Sequence, residues 1–294
     1  MLEANFKKKE KEFERGLVED YFKFGTVESA LRANDYNTPV SYANYQRILD
    51  KYQVIKAAGP NNKLTEAILF CEHFVKDNVK VDDLYRKMPL SFQTSAKTLY
   101  RIVSYMKEGV TRRVGVALVI SPFDSPDKLL IAKDISIPRL ELGKGYGSFT
   151  LPMGYARKRD GRKTNIDRIL QSEVFTKLTI SNEFPRELVD ERVEPFMYLD
   201  IADVRVSVYS ITLPKEFSKI SNYSSYKVSS FKYLNIDGLL EEGLRNKLRA
   251  GVVDIAKGYK KHLKLMNRNL KVNPLQEKSF LNKETAKVTL EIEE

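Results

Sequence analysis

The chain has 294 residues but few of the side chains on which metal and thiol chemistry depend: one cysteine, Cys71, two histidines, His73 and His262, and no tryptophan. A lone cysteine forms no internal disulfide, and so few scattered Cys and His residues exclude a zinc site of the Cys/His kind. Cys71 lies in the apolar stretch Leu64-Thr-Glu-Ala-Ile-Leu-Phe-Cys-Glu-His-Phe, which suits a buried thiol better than a nucleophile. No apolar run approaches the roughly 18 residues of a membrane-spanning helix. The basic N-terminal residues lack the apolar stretch of a secretory signal, so a cytoplasmic protein without a membrane partner is expected. Acidic residues are also in deficit, 39 against 50 Lys and Arg, giving a net charge of +11 that favours a polyanionic partner. With 42% apolar and 30% charged residues, the chain is expected to be globular and long enough for about two domains.

The pattern changes once along the chain. Residues 1–24 read as a charged helix stopped by Gly25. Thr26 and Ser41 then sit where N-caps belong, ahead of helical stretches at 27–34 and 42–52. After the Gly-Pro linker near residue 59, helices are predicted at 64–77, 81–88 and 95–108. From Val114 the period becomes extended: strands are expected at 114–121, 128–133, 148–151, 194–200, 205–213 and 227–235, with helices at 165–178 and 244–266. The domain boundaries expected are 1–62 and 63–113 for two helical units, 114–272 for the mixed unit, and 273–294 for a weakly structured tail.

The second half resembles a Nudix domain. The strand Gly115-Val-Ala-Leu-Val-Ile, the strand Lys128-Leu-Leu-Ile-Ala-Lys, the segment Phe149-Thr-Leu-Pro-Met-Gly and the closing Phe231-Lys-Tyr-Leu-Asn-Ile-Asp-Gly follow the family's order. The resemblance implies an α/β/α sandwich with a mixed sheet, so that the whole chain is expected to be α+β. In the family's glutamate-rich box, Gly154 matches the first glycine and Glu173 is the one retained glutamate. Ser172, Thr176 and Lys177 stand where arginine and the paired glutamates belong, and the loop is about four residues longer. With the helix continuing to 178, Glu173, Thr176 and Lys177 are expected on one face, leaving little charge for a hard cation. No catalytic residue, metal or cofactor is then expected. Mg²⁺ enters only under the alternative of a hydrolase of nucleoside diphosphate derivatives, using Glu173 with Asp160, Asp200 or Asp203.

The enlarged loop carries six basic residues against two acidic ones between 155 and 172. Arg157, Lys158, Arg159 and Arg162, beside Gly154, are the candidates for binding a phosphorylated small molecule; a merely solvated loop is the other reading. The two helical groups resemble helix-turn-helix units, the second a winged variant. Residues 84–113 hold seven basic residues against one acidic, which points to DNA. Thr94, Ser95, Lys97, Thr98 and Arg101 have the placement for base contacts, Arg112 and Arg113 for phosphates, and Tyr45, Gln46 and Arg47 for a parallel role in the first unit. Residues 244–271 offer nine basic against one acidic, a further nucleic-acid face or a solvated helix. The arrangement resembles, in parts and in opposite domain order, Nudix-related transcriptional regulators. A nucleotide-sensing DNA-binding regulator, possible as a homodimer on symmetric sites, is the leading reading; an RNA-associated or scaffolding protein is another.

Overall fold

The structure, a computed structural model, describes residues 2–35, 37–56, Arg86, 113–138, 144–157, 159–202, 204–268 and 273–285. Three helices open it: α1 (Leu2–Phe24), α2 (Val27–Ala33) and α3 (Tyr42–Lys51). Each boundary has a local cause. Gly25 ends α1 with a φ of +81°, which a side chain would disfavour. Thr26 Oγ1 accepts from Ser29 N at 3.0 Å, and Ser41 Oγ from Asn44 N at 3.2 Å, each satisfying a donor the helix leaves open. Leu17, Val18, Tyr21 and Phe22 of α1 bury against Val27, Ala30, Tyr45, Ile48 and Leu49. Tyr45 corrects an expectation: it is 1% exposed, with its hydroxyl donating to Leu17 O at 2.6 Å. It is a core residue rather than a DNA contact.

Among the described residues, eight strands form the second unit: β1 (Arg113–Ser121), β2 (Lys128–Asp134), β3 (Phe149–Thr150), β4 (Met153–Tyr155), β5 (Met197–Ile201), β6 (Val204–Thr212), β7 (Val228–Asn235) and β8 (Leu275–Lys278). One sheet runs β4-β1-β6-β5-β8 and the other β3-β2-β7. The first is mixed: β1 pairs β6 in parallel and β4 antiparallel, and β5 pairs β6 antiparallel and β8 in parallel. Both faces of β1 are buried, which explains its continuous apolar run. Ala117 and Val119 join the core under α8 (Val252–Met266), with Ile255, Ala256 and Tyr259. Val116, Leu118 and Ile120 face α4 (Arg162–Glu173), with Ile166, Ile169 and Leu170. The chain is therefore α+β, a helical unit followed by an α/β/α sandwich with a mixed sheet. Among the described residues, no helix is long and apolar enough to cross a membrane.

Three elements depart from the periodicity. The helix expected through residue 178 ends at Glu173 and restarts as α5 (Thr176–Ser181). Ser224 causes the break: its N–H donates to Val174 O at 2.7 Å and its carbonyl accepts from Thr176 N at 3.2 Å. Glu173, Thr176 and Lys177 consequently do not share one helical face. Thr176 is buried, its hydroxyl donating to Gln171 O, and Lys177 is exposed. The helix expected at 244–266 is likewise divided. After α6 (Ile236–Leu240) and α7 (Glu242–Arg245), Gly251 turns at a φ of +88° before α8 begins. Finally, residues 273–285 are not a loose tail: β8 extends the sheet, and α9 (Phe280–Thr285) follows it. Asn282, buried, accepts from Ala202 N at 2.6 Å and donates to Ala202 O at 2.9 Å.

The helical unit is fastened to the sandwich along α4 and α5. Gln171 and Arg168 bond the backbone after α3, and Ile180 packs on the helical core. Tyr226 donates to Glu19 at 2.7 Å, with Lys23 over its ring. These contacts bring α1 over the end of α4, where Glu173 stands.

Candidate functional site

Glu173 is the last residue of α4 and lies beside β4. Its Oε2 accepts from Met153 N at 2.9 Å. A Cβ added to Gly154 would meet Ile169 Cδ1 at 2.9 Å and Glu173 Oε1 at 3.9 Å, so the glycine permits this close approach of strand and helix. Burial pushes the Glu173 carboxyl above the usual range, opposed by Lys227, the Met153 amide, Arg249 and Lys144.

Those three cations come from separate loops and converge at one end of β2. Asp134, the last residue of that strand, is buried and accepts from both N and Oγ of Ser136. Its Oδ2 lies 3.3 Å from Lys144 Nζ and 3.9 Å from Arg249 Nη1. The main chain fixes the arrangement: Phe149 O accepts from Arg249 N, and Asp134 O from Gly147 N. Burial pulls the Lys144 ammonium down, as does Arg249, against Asp134 and Glu173. The result is a cluster in which Lys144 and Arg249 pair with Asp134, with Lys227 and Glu173 beside them.

A cavity of about 60 Å³ adjoins the cluster, room for a few waters or one tetrahedral oxyanion. From the sandwich, Gly154, Arg168, Ser172, Glu173 and Lys227 line it together with the apolar Tyr155 and Ile169. Tyr21, Phe22, Gly25 and Ile55 of the helical unit form the opposing wall. Arg168 is fully engaged: its guanidinium bonds Asp160, Asn165 and Lys56 O.

The expected ligand residues are only partly brought together here. Gly154 and Glu173 line the cavity, whereas Arg157, Arg159 and Arg162 do not. Arg157 and Arg159 are exposed, Arg162 pairs with Glu194, and Lys158 lies outside the described residues. Part of the loop's charge is engaged by the fold, with Lys163 donating to Val189 O at 2.7 Å and Arg168 paired with Asp160. Of the expected DNA contacts, Thr94, Ser95, Lys97, Thr98, Arg101 and Arg112 lie outside the described residues, as do Cys71 and His73. Gln46 is half-buried and Arg47 exposed. Arg113 opens β1, its Nη1 donating to Tyr155 OH at 2.6 Å and its guanidinium over the Tyr155 ring. It lies at the start of an interior strand, paired with Val204 of β6, and not on a helix.

Sequence reasoning does not reach Asp134, Lys144, Lys227 or Arg249. Lys144 has one local hint, its place in the glycine-rich Gly143-Lys-Gly-Tyr-Gly; the others have none, because only the topology gathers them.

The Mg²⁺ implied by the hydrolase alternative does not fit these residues. A hard divalent ion takes several oxygen ligands, and no group of three His, Cys, Asp or Glu residues is arranged to hold a metal among the described residues. Asp160 and Asp200 are committed to Arg168 and Arg205, and Asp203 lies outside the described residues. Glu173 is left with cations as its charged neighbours.

No family model matches the chain, and no curated protein matches it. Among solved structures it is similar to a Nudix hydrolase from Nitrosomonas europaea, at 13% identity over 57% of this chain and 78% of that one, with a TM-score of 0.36. It is also similar to the MutT protein of Methanosarcina mazei Go1, at 13% identity over 55% and 98% of the two chains and a TM-score of 0.36. A third is the Nudix domain of Shewanella oneidensis NrtR complexed with ADP ribose, at 13% identity over 54% and 97%, with a TM-score of 0.35.

Proposed function

We propose that this chain is a ligand-responsive DNA-binding regulator whose Nudix-like unit binds a phosphorylated small molecule without hydrolysing it. The observation that carries this reading is the setting of Glu173: a single buried carboxylate facing Lys227, Lys144 and Arg249 beside a cavity that α1 helps to close. Such a site favours an anion and disfavours the cation that diphosphate hydrolysis needs. A ligand there touches both units, so its binding free energy shifts how firmly the helices are held against the sandwich. The DNA contacts of this reading are Thr94, Ser95, Lys97, Thr98, Arg101 and Arg112, supported by the basic excess of residues 84–113. A two-fold symmetric operator requires two copies of the chain, hence a homodimer.

Two measurements test the reading. A panel of nucleoside diphosphate derivatives is incubated with Mg²⁺ or Mn²⁺, and negligible turnover is expected; turnover that disappears in Glu173→Gln makes the chain a hydrolase. Bound fragments are then selected from random duplex DNA against a structured RNA control, with phosphorylated metabolites present or absent. Enriched duplexes whose affinity changes with a metabolite support the regulator, and preferential retention of the RNA replaces it with an RNA-associated protein.

A further inference from the structure

The outer face of α8 carries charge of one sign. On its inner face Val252, Ile255, Ala256 and Tyr259 are buried, and Gly258 lets the helix approach β5 so closely that an added Cβ would meet Met197 Sδ at 2.5 Å. Lys257, Lys261 and Lys264 stand on the opposite face at i, i+4 and i+7, all exposed, and the exposed Arg268 follows just past the C-cap, Asn267. From Ile255 to Arg268 no acidic residue occurs. Of the neighbouring carboxylates, Asp237 pairs with Lys260, and Asp254 accepts from Phe280 N at 3.3 Å and lies in the field of Lys283 as well as Lys257. Lys257, Lys261, Lys264 and Arg268 form no ion pair among the described residues.

The other exposed helices of this chain are built differently. The cations of α1 and α2 are interspersed with carboxylates, and pairs form one turn away, Lys23 with Glu19 and Arg32 with Glu28. On α8, Lys257 and Lys261, Lys260 and Lys264, and Lys264 and Arg268 are like charges at i, i+4, which repel and weaken the helix. Attraction of cations to a helix C-terminus accounts for Lys264 but not for Lys257, which lies in the second turn. A polyanion laid along the face relieves this repulsion. The stripe is straight and convex, spanning about 10 Å of helix axis from Lys257 to Lys264. Its rings, Tyr259 and His262, pack against Phe196, so it offers no platform on which the bases of a single strand stack. A duplex, with regular phosphates outside and bases hidden, suits it.

We propose that the stripe from Lys257 to Arg268 is a sequence-independent contact to the phosphate backbone of duplex DNA, a second point of attachment presented by the sandwich. The proposal rests on the DNA-binding reading above and adds a surface outside the 84–113 segment on which that reading stands. Contacts of this kind hold and orient a duplex without reading its sequence. Because α8 is packed on the sheet, its cations are already in line before the duplex arrives.

The test is the salt dependence of duplex binding by the full chain, read by fluorescence anisotropy on a selected duplex and a scrambled one. The triple variant Lys257→Gln/Lys261→Gln/Lys264→Gln keeps helix propensity and most of the side-chain length. It is expected to bind both duplexes about tenfold or more weakly at low salt, and to flatten the slope of log affinity against log salt by about two to three units. Lys257→Arg/Lys261→Arg/Lys264→Arg is expected to bind as the parent does. Lys128→Gln/Lys215→Gln/Lys219→Gln removes the same charge from exposed positions elsewhere on the sandwich and is expected to leave the slope unchanged. Thermal melts establish that each variant is folded. An unchanged slope in the α8 triple, an equal loss in the control triple, or a loss confined to single-stranded RNA overturns the proposal. If duplex binding persists in the α8 triple yet falls in Arg101→Ala, the DNA-binding reading survives and α8 is a solvated face. If the chain binds no duplex at all, both fall together.

Discussion

Gln171, in the last turn of α4, holds the chain that leaves α3 with both ends of its side-chain amide. Oε1 accepts from Ile55 N at 2.9 Å, and Nε2 donates to Gln53 O at 3.1 Å. Gln53 itself is at a φ of +57°, a conformation seldom adopted without such support. Gln171→Leu preserves bulk but leaves two backbone groups unsatisfied, a loss of about 1–3 kcal/mol. Amide exchange in α1 to α3 is expected to accelerate while β1 and β6 stay protected. Uniform acceleration across the chain contradicts this local fastening.

Asp167 makes the sandwich sensitive to pH. Burial raises its carboxyl to about 6, against the pull of Lys163 at 3.6 Å. A folded-state value above the unfolded one means the stabilising contribution is complete below about pH 4 and is lost as pH rises through 6. Asp167→Asn should therefore raise the melting temperature at pH 8, by the equivalent of about 1–3 kcal/mol, with the gain disappearing towards pH 4. A constant difference at both pH values removes burial of the charge as its cause.

The basic residues proposed to meet DNA separate into contrasting classes. Arg101→Ala should relax sequence preference at a cost of roughly 1–3 kcal/mol if it contacts a base in bidentate fashion. Arg112→Ala should weaken all duplexes alike and flatten the salt dependence by about one unit for the phosphate it no longer neutralises. Arg113→Ala, which removes the bond to Tyr155, should lower thermal stability and leave that slope unchanged. Isotherms on selected and scrambled duplexes at several salt concentrations read all three.

Tyr45→Phe is expected to lose about 1 kcal/mol, since Leu17 O forfeits a buried donor, with DNA affinity intact. A DNA defect without a stability defect restores Tyr45 to the interface. Denaturant melts alongside binding isotherms decide it.

Asn282→Ala should destabilise the sandwich more than a surface substitution does. It removes the acceptor for Ala202 N and the donor to Ala202 O, and Ala202 is at a φ of +51°. A cost of roughly 1–3 kcal/mol is expected in a denaturant titration. A change within experimental scatter returns residues 273–285 to the role of a tail.

Features with local causes are readable in the sequence. Gly25, Thr26 and Ser41 end or cap helices through bonds within three or four residues, and the unbroken apolar run of β1 states that both its faces are covered. Features set by distant partners are not. Val174 and Phe175 continue a helical pattern until Ser224 bonds to the chain there from across the fold. The polar Leu-Gln-Glu-Lys of β8 becomes a strand only because β5 offers an open edge. At the site, Gly154 and Glu173 are legible through a motif, while Lys227 and Arg249 enter only when β7 and the segment before α8 meet the end of β2. The charge of the 155–172 loop is likewise only partly legible: Arg168 and Lys163 are engaged by partners that composition does not reveal.

The parallel pairing of β8 with β5 also bears on what the molecule does before it is complete. Among the described residues β8 follows every other strand of its sheet in the chain, so Met197–Ile201 waits with one row of amides and carbonyls unclaimed while β1, β4 and β6 assemble. Such an edge, apolar on its alternating positions, is a template for a neighbouring nascent chain. In the finished fold the Leu275–Lys278 segment takes over that edge and presents exposed polar side chains, so the sheet ends in a short charged strand rather than in an apolar one.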